Sequence, residues 1–168
     1  MRPITLQTLA EFSGGRLLQG DGGRLVERVG TDSRRVTAGE VFFALRGERF
    51  DGHDYAAQVA AAGASAVVVS LPVAGLPCAV IEVADTLAAL QSLARAYRAW
   101  HNPLVVALTG SNGKTSTKDL AAAVLARGYA LTATLGNLNN HIGVPLTLLS
   151  LAEGHDCVIT EMGMNHAG

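Results

Sequence analysis

The stretch LVVALTGSNGKTSTKDL, Leu104 to Leu120, constrains this chain more than any other. Five apolar residues lead into Thr109-Gly110, a second glycine follows at Gly113, and Lys114-Thr115 opens a run of helical character. A strand feeding a glycine turn and then a helix is a βα unit, which commits its surroundings to parallel pairing. Such a turn leaves the first N–H groups of the helix unpaired at its electropositive end. Gly110 and Gly113 let the backbone wrap a phosphate with no Cβ in the way. Lys114 can then reach terminal phosphates, and Thr115 can offer a hydroxyl to Mg²⁺. The longer common loop carries a glycine where this chain has Leu108. The turn is then either a phosphate loop of a different length or a plain βα turn with a lysine on its helix.

Four further stretches bear on the reading. DCVITEMG is apolar until Glu161, and a carboxylate at the carboxyl end of a parallel strand faces the crevice where ligands bind. It suits a Mg²⁺ ligand beside phosphates, or else a solvated strand end. GNLNNHIGVP offers Asn137, Asn139 and Asn140 between Gly136 and Gly143, as a ligand loop or as turns alone. TDSR (Thr31 to Arg34) and GERFDGHDY (Gly47 to Tyr55) are polar clusters beside the apolar run Val41 to Leu45. Ser33 and Arg34 there could hold a phosphate or a sugar hydroxyl, or simply sit on a surface loop. None of the five histidines has the spacing of a zinc site, His141 and His166 included.

The rest of the chain reads as an α/β protein. Leu6, Leu9 and Phe12 at helical spacing predict a helix closed by Gly14-Gly15. Val41 to Leu45, SAVVVS and CAVIEV predict buried strands, with a small-residue helix from Tyr55 ended by Gly63. A helix from Asp85 to Trp100, N-capped by Asp85, carries Leu87, Leu90, Leu93, Ala94 and Tyr97 on its apolar side. GYALTAT predicts another strand, and the asparagine loop runs into a short helix. A first domain over 1–83 and a second over 84–168 are expected. The closing MNHAG completes no element, so the chain reads as the front part of a longer protein.

Composition narrows the classes. Hydrophobic residues at 49% and charged residues at 16% suit a soluble α/β core. A net charge of −1 gives no field for nucleic acid, and 5% aromatics gives few stacking platforms. Cys78 and Cys157 lie among apolar residues, which predicts buried free thiols and a cytoplasmic setting. No signal peptide is visible. The uncharged run from Tyr55 to Ile81 contains Pro72, Pro77 and several glycines, so membrane insertion is not expected.

TDSR, GEVFFALRGERFDGHDY, TGSNGKTSTK, GNLNNHIGVPLTLL and TEMGMNHAG together resemble the Mur ligases of peptidoglycan synthesis along nearly the whole chain. The resemblance is strongest to the branch that joins D-alanyl-D-alanine to UDP-N-acetylmuramoyl-tripeptide. It implies a small N-terminal α/β substrate-binding domain followed by the first part of a P-loop-type ATPase domain with a mostly parallel sheet. It implies ATP and Mg²⁺ as cofactors and an acyl phosphate that an amine attacks. By this carry-over Thr109, Gly110, Ser111, Asn112, Gly113, Lys114, Thr115 and Ser116 hold the ATP phosphates. Lys114 stabilises the γ-phosphate, Thr115 and Glu161 bind Mg²⁺, and Asn139 and Asn140 border the nucleotide. Ser33, Arg34, Asp51, Gly52, His53 and Asp54 help seat the uridine-diphosphate end. The family's downstream histidine, carbamylated lysine and C-terminal domain are absent, so the fragment is expected not to ligate alone. Sister ligases adding one amino acid, and a non-catalytic nucleotide-binding module, are the competing readings.

Overall fold

The computed structural model describes residues 1–163. The chain divides into two compact units, Pro3–Leu93 and Met1–Arg2 with Ala94 onward. The division falls within the helix that follows the boundary expected near Val83.

The first unit begins with strand β1 (Ile4–Thr5) and helix α1 (Leu6–Phe12), whose N-cap Thr5 accepts from the Thr8 backbone N–H. Leu6 and Leu9 point inward, as their spacing predicts. β2 (Arg16–Gln19), β3 (Leu25–Val26) and β4 (Val29–Gly30) follow. These strands are short, and RLLQ has neither clean alternation nor an apolar run, so local periodicity does not announce them. β5 (Val41–Phe43), a 3₁₀ turn (Gly52–Tyr55), α2 (Ala56–Ala61), β6 (Ala66–Val69) and β7 (Ala79–Glu82) complete the unit's sheet layer. The sheet has five strands in the order β2-β7-β6-β5-β4, parallel except for β2 against β7.

Every residue of β6 is buried, which requires cover on both faces of the sheet. One cover is the cluster of Phe42, Val59, Ala60, Val67, Val69, Cys78 and Val80. β5 stops at Phe43 rather than Leu45 because the Leu45 N–H turns back to the Phe43 carbonyl at 2.9 Å. α3 (Thr86–His101) starts where expected: Asp85 Oδ1 accepts from the Ala88 backbone N–H at 2.7 Å.

The second unit holds β8 (Leu104–Leu108), α4 (Lys114–Leu125), β9 (Leu131–Ala133), α5 (Gly143–Leu149) and β10 (Cys157–Glu161). Its three described strands are parallel in the order β8-β10-β9. The fold class is thus the expected mixed α/β with mostly parallel sheets. β10 is the buried centre. β8 is only half-buried, contrary to its apolar sequence, since among the described residues it pairs on one side only. Leu120 and Val124, one turn apart on α4, are about two-thirds exposed for the same reason: nothing described packs over them. The Tyr97 hydroxyl donates to the Leu151 carbonyl at 2.6 Å and accepts from the Arg2 N–H, which ties the extreme N-terminus into this unit.

Cys78 and Cys157 are free and buried, and burial pushes both thiols upward in pKa. No described helix is long and apolar enough to cross a membrane.

Candidate phosphate and metal site

The loop between β8 and α4 has the backbone its glycines predict. Gly110 at φ 144° and Gly113 at φ 77° occupy conformations that side chains disfavour, and Gly113 is the N-cap of α4. A glycine cap leaves no side chain to satisfy the first-turn N–H groups, so they remain for a ligand. Ser111, Asn112, Thr115 and Ser116 are exposed around that end, and Thr109 precedes it. Lys114 Nζ donates back to the Gly110 carbonyl at 2.7 Å, which holds the loop closed on its own lysine.

β10 delivers Glu161 to the same place. Its register pairs Glu161 with Leu108, the last residue before the loop. Glu161 Oε2 accepts from the Thr115 hydroxyl at 3.1 Å, and Oε1 accepts from the Asn139 amide at 3.0 Å. The residue is 3% exposed. Both bonds come from neutral donors, and among the described residues Glu161 forms no ion pair. A buried carboxylate answered only by neutral groups is costly, and a bound cation removes that cost. Hard oxygen donors on one carboxylate and one hydroxyl suit Mg²⁺, which keeps waters and shares phosphate oxygens rather than filling a protein cage. No cluster of three or more His, Cys, Asp or Glu ligands occurs among the described residues.

The asparagine loop divides its labour. Asn139 contacts Glu161 by its side chain, and its carbonyl accepts from Gly163 N–H at 2.7 Å. Asn140 caps α5 instead: its Oδ1 accepts from Ile142 and Gly143 N–H at 3.1 and 2.8 Å. Asn137 is exposed. Gly143 has no alternative, because a Cβ there would overlap the Leu138 backbone. Two residues that the sequence reading passed over, Lys118 and Thr134, lie buried against this arrangement. A lysine one helical turn after Lys114 was the available signal. His166 lies outside the described residues.

The first unit has a separate cavity of about 400 Å³ lined by Ser33, Arg34 and Gly52 together with Thr31, Asp32, Phe42, Leu45, Phe50 and Tyr55. Arg34 grips Asp32 with two bonds, Nε to Oδ1 at 2.9 Å and Nη2 to Oδ2 at 2.8 Å. That guanidinium holds the Asp32 carboxyl at a pKa of about 2. Phe50, 72% exposed, gives the mouth a bare aromatic face.

Asp51, His53 and Asp54 do not line the cavity. Asp51 caps the 3₁₀ turn, accepting from the His53 backbone N–H and ring Nδ1, and pairs with Arg46 Nε at 3.2 Å. His53 Nε2 accepts from Ser70 N–H at 2.9 Å, so its ring proton sits on Nδ1. Asp54 is exposed. Gly52 alone of that group reaches the cavity wall, and a Cβ there would meet the Ala44 backbone at 2.8 Å.

Residues 108–168 match the Mur ligase middle domain, and residues 25–98 match the Mur ligase family catalytic domain. The UDP-N-acetylmuramoyl-tripeptide–D-alanyl-D-alanine ligase of Escherichia coli K12 is 44% identical over 100% of this chain and 36% of its own length. MurF of Acinetobacter baumannii superposes at a TM-score of 0.93 with 39% identity, covering 100% of this chain and 37% of that one. MurF of Thermotoga maritima in complex with ADP superposes at 0.76 with 31% identity, over 85% of this chain and 33% of that one. The chain thus spans little more than a third of the relatives it matches. With its glycine loop, buried Glu161 and both matched segments, the chain belongs to the Mur ligase family.

Proposed function

We propose that this chain is the substrate-seating and phosphate-binding part of an ATP-dependent ligase that joins D-alanyl-D-alanine to UDP-N-acetylmuramoyl-tripeptide through an acyl phosphate. The observation that carries the reading is Glu161: a buried carboxylate with no cationic partner among the described residues, hydrogen-bonded to the threonine of a glycine-capped phosphate loop. The resemblance to ligases of that name over the whole chain supplies the substrate class.

In this reading the α4 N-terminus and the loop from Thr109 to Gly113 cradle the ATP phosphates. Lys114 leaves the Gly110 carbonyl to meet the terminal phosphate as a charge-assisted donor. Thr115 and Glu161 hold Mg²⁺, which when bound supplies positive charge to the phosphoryl oxygens. Asn139 keeps the Glu161 carboxylate aimed. The Ser33–Arg34 cavity, with the Phe50 face at its mouth, seats the uridine-diphosphate end of the substrate. Asp51 and His53 support that cavity's floor through Gly52 rather than by touching ligand.

Calorimetry with Mg-ATP tests the proposal. Binding by the chain is expected, and Lys114→Ala should weaken it about 10- to 100-fold, the worth of one charge-assisted hydrogen bond. Unchanged affinity in that variant removes the loop assignment. Amide formation from ATP, tripeptide precursor and dipeptide is expected from the full-length enzyme and not from these 168 residues alone.

A further inference from the structure

We infer that Thr134 and Lys118 are positioning residues for the metal site, setting where Glu161 stands relative to Thr115. The inference rests on the proposed Mg-ATP role of that pair. β9 pairs with β10 through Ala133↔Ile159, and the Thr134 N–H still donates to the Ile159 carbonyl at 2.9 Å. In a continued parallel ladder the next rung would run from the Glu161 N–H to the Thr134 carbonyl. The structure departs from this. Glu161 N–H instead donates to the Thr134 side-chain hydroxyl at 2.9 Å. The freed carbonyl accepts from Lys118 Nζ, also at 2.9 Å. Thr134 and Lys118 are both buried, so neither bond is shared with bulk water.

The consequence is a closed chain of contacts. Lys118 sits one helical turn after Lys114 and Thr115 on α4. It grips the end of β9, and the end of β9 grips the backbone of Glu161. The Glu161 carboxylate returns to Thr115 at the start of the same helix. The Lys118 charge is also balanced by Asp119 Oδ1 at 3.2 Å, so its role here is as a fixed donor. The helix carrying the hydroxyl ligand and the strand carrying the carboxylate ligand are thus locked together by the one threonine. A hydroxyl serves because it can stand in for a carbonyl acceptor while its own residue turns away into the asparagine loop.

The test uses Thr134→Val, which keeps the shape and removes the hydroxyl, and Thr134→Ser, which restores it. Mn²⁺ binding in the presence of ATP, followed by electron paramagnetic resonance, reads the metal directly; a thermal melt checks folding. Outer-shell partners of metal ligands change affinity about 10- to 100-fold when removed. Thr134→Val is expected to lose Mn²⁺ affinity within that range while metal-free ATP affinity stays within about twofold, and Thr134→Ser to recover it. Lys118→Met should show the same split more weakly. A folded Thr134→Val with unaltered Mn²⁺ affinity overturns the inference and leaves the nucleotide site standing. Equal loss of metal-free and metal-dependent binding also overturns it, since that marks a general structural role. Should the unsubstituted chain bind no metal with ATP, the inference and the proposed function fall together. If Thr134→Val does not fold, Thr134→Ser and Lys118→Met carry the comparison, and wild-type Mn²⁺ affinity in Lys118→Met then overturns it.

Discussion

Asp51 in the first unit and Glu161 in the second are both carboxylates at the ends of secondary structure, yet they are answered in opposite ways. Asp51 is met by Arg46, by the His53 ring and by a backbone N–H, and these contacts hold its carboxyl below the ordinary carboxylate range, the His53 backbone bond most of all. Its charge is spent inside the fold. Glu161 is more deeply buried and receives only a hydroxyl and an amide. Its charge is left over. The same contrast runs through the two units: the first covers its central strand on both faces, whereas the second leaves β8 half-bare and α4 with exposed Leu120 and Val124. A carboxylate whose charge is met by its neighbours is architecture; one met by no described cation is where a ligand is expected.

The largest expected effect comes from exchanging Glu161→Gln. Loss of the proposed metal ligand should cost at least the roughly 100-fold upper range seen for outer-shell partners in Mg-ATP affinity. The unfolding temperature should not fall, because a buried unpaired charge is removed with it. A Glu161→Gln variant that melts well below the parent would break the comparison, since the carboxylate would then be a structural group like Asp51. Gly143→Ala is next: the methyl must displace the Leu138 backbone, an overpacking cost of about 1–3 kcal/mol. Chemical denaturation measures that loss, and Mg-ATP affinity should fall alongside as the asparagine loop shifts. Asp51→Ala removes a capping side chain and should cost about 1–2 kcal/mol with Mg-ATP binding intact.

The pH dependence sharpens the same point. Because the folded pKa of Asp51 is depressed, its contribution is fully present above the ordinary value of 3.8 and is lost as pH falls through the lower folded value. Urea melts between pH 5 and 2 should show less acid sensitivity in Asp51→Asn than in the parent, about those bounds being where carboxylates titrate. The smallest stability effect belongs to Arg34→Ala, since the Asp32 pair is at the surface. Its expected signature is weaker uridine-diphosphate binding by calorimetry with an unmoved melt.

Much of this is legible in the sequence. Gly110, Gly113, Lys114 and Thr115 suit a phosphate loop because the order strand, glycine, lysine, hydroxyl follows from what a helix N-terminus lacks. Glu161 stood out because an apolar strand has no local use for a terminal carboxylate. Asp85 marked a helix start through capping chemistry alone. The polar group Asp51 to Asp54 was less transparent. Its residue types suit a ligand as well as they suit a cap, and only the contacts to His53, Arg46 and Ser70 separate the two. Asn139 and Asn140, neighbours of one type, likewise part company: one aims a carboxylate, the other caps α5.

The sequence by itself determined the α/β class, the parallel pairing, the glycine loop and the candidates that could hold phosphate and metal, because each follows from local periodicity or from a short motif. The tertiary structure alone decided which of those candidates meet. Thr115 and Glu161 are 46 positions apart, and Lys118 and Thr134 are 16 apart. Their contacts depend on strand order and on a ladder that ends one rung early. Register across a sheet is a property of paired strands, so no single stretch of sequence contains it.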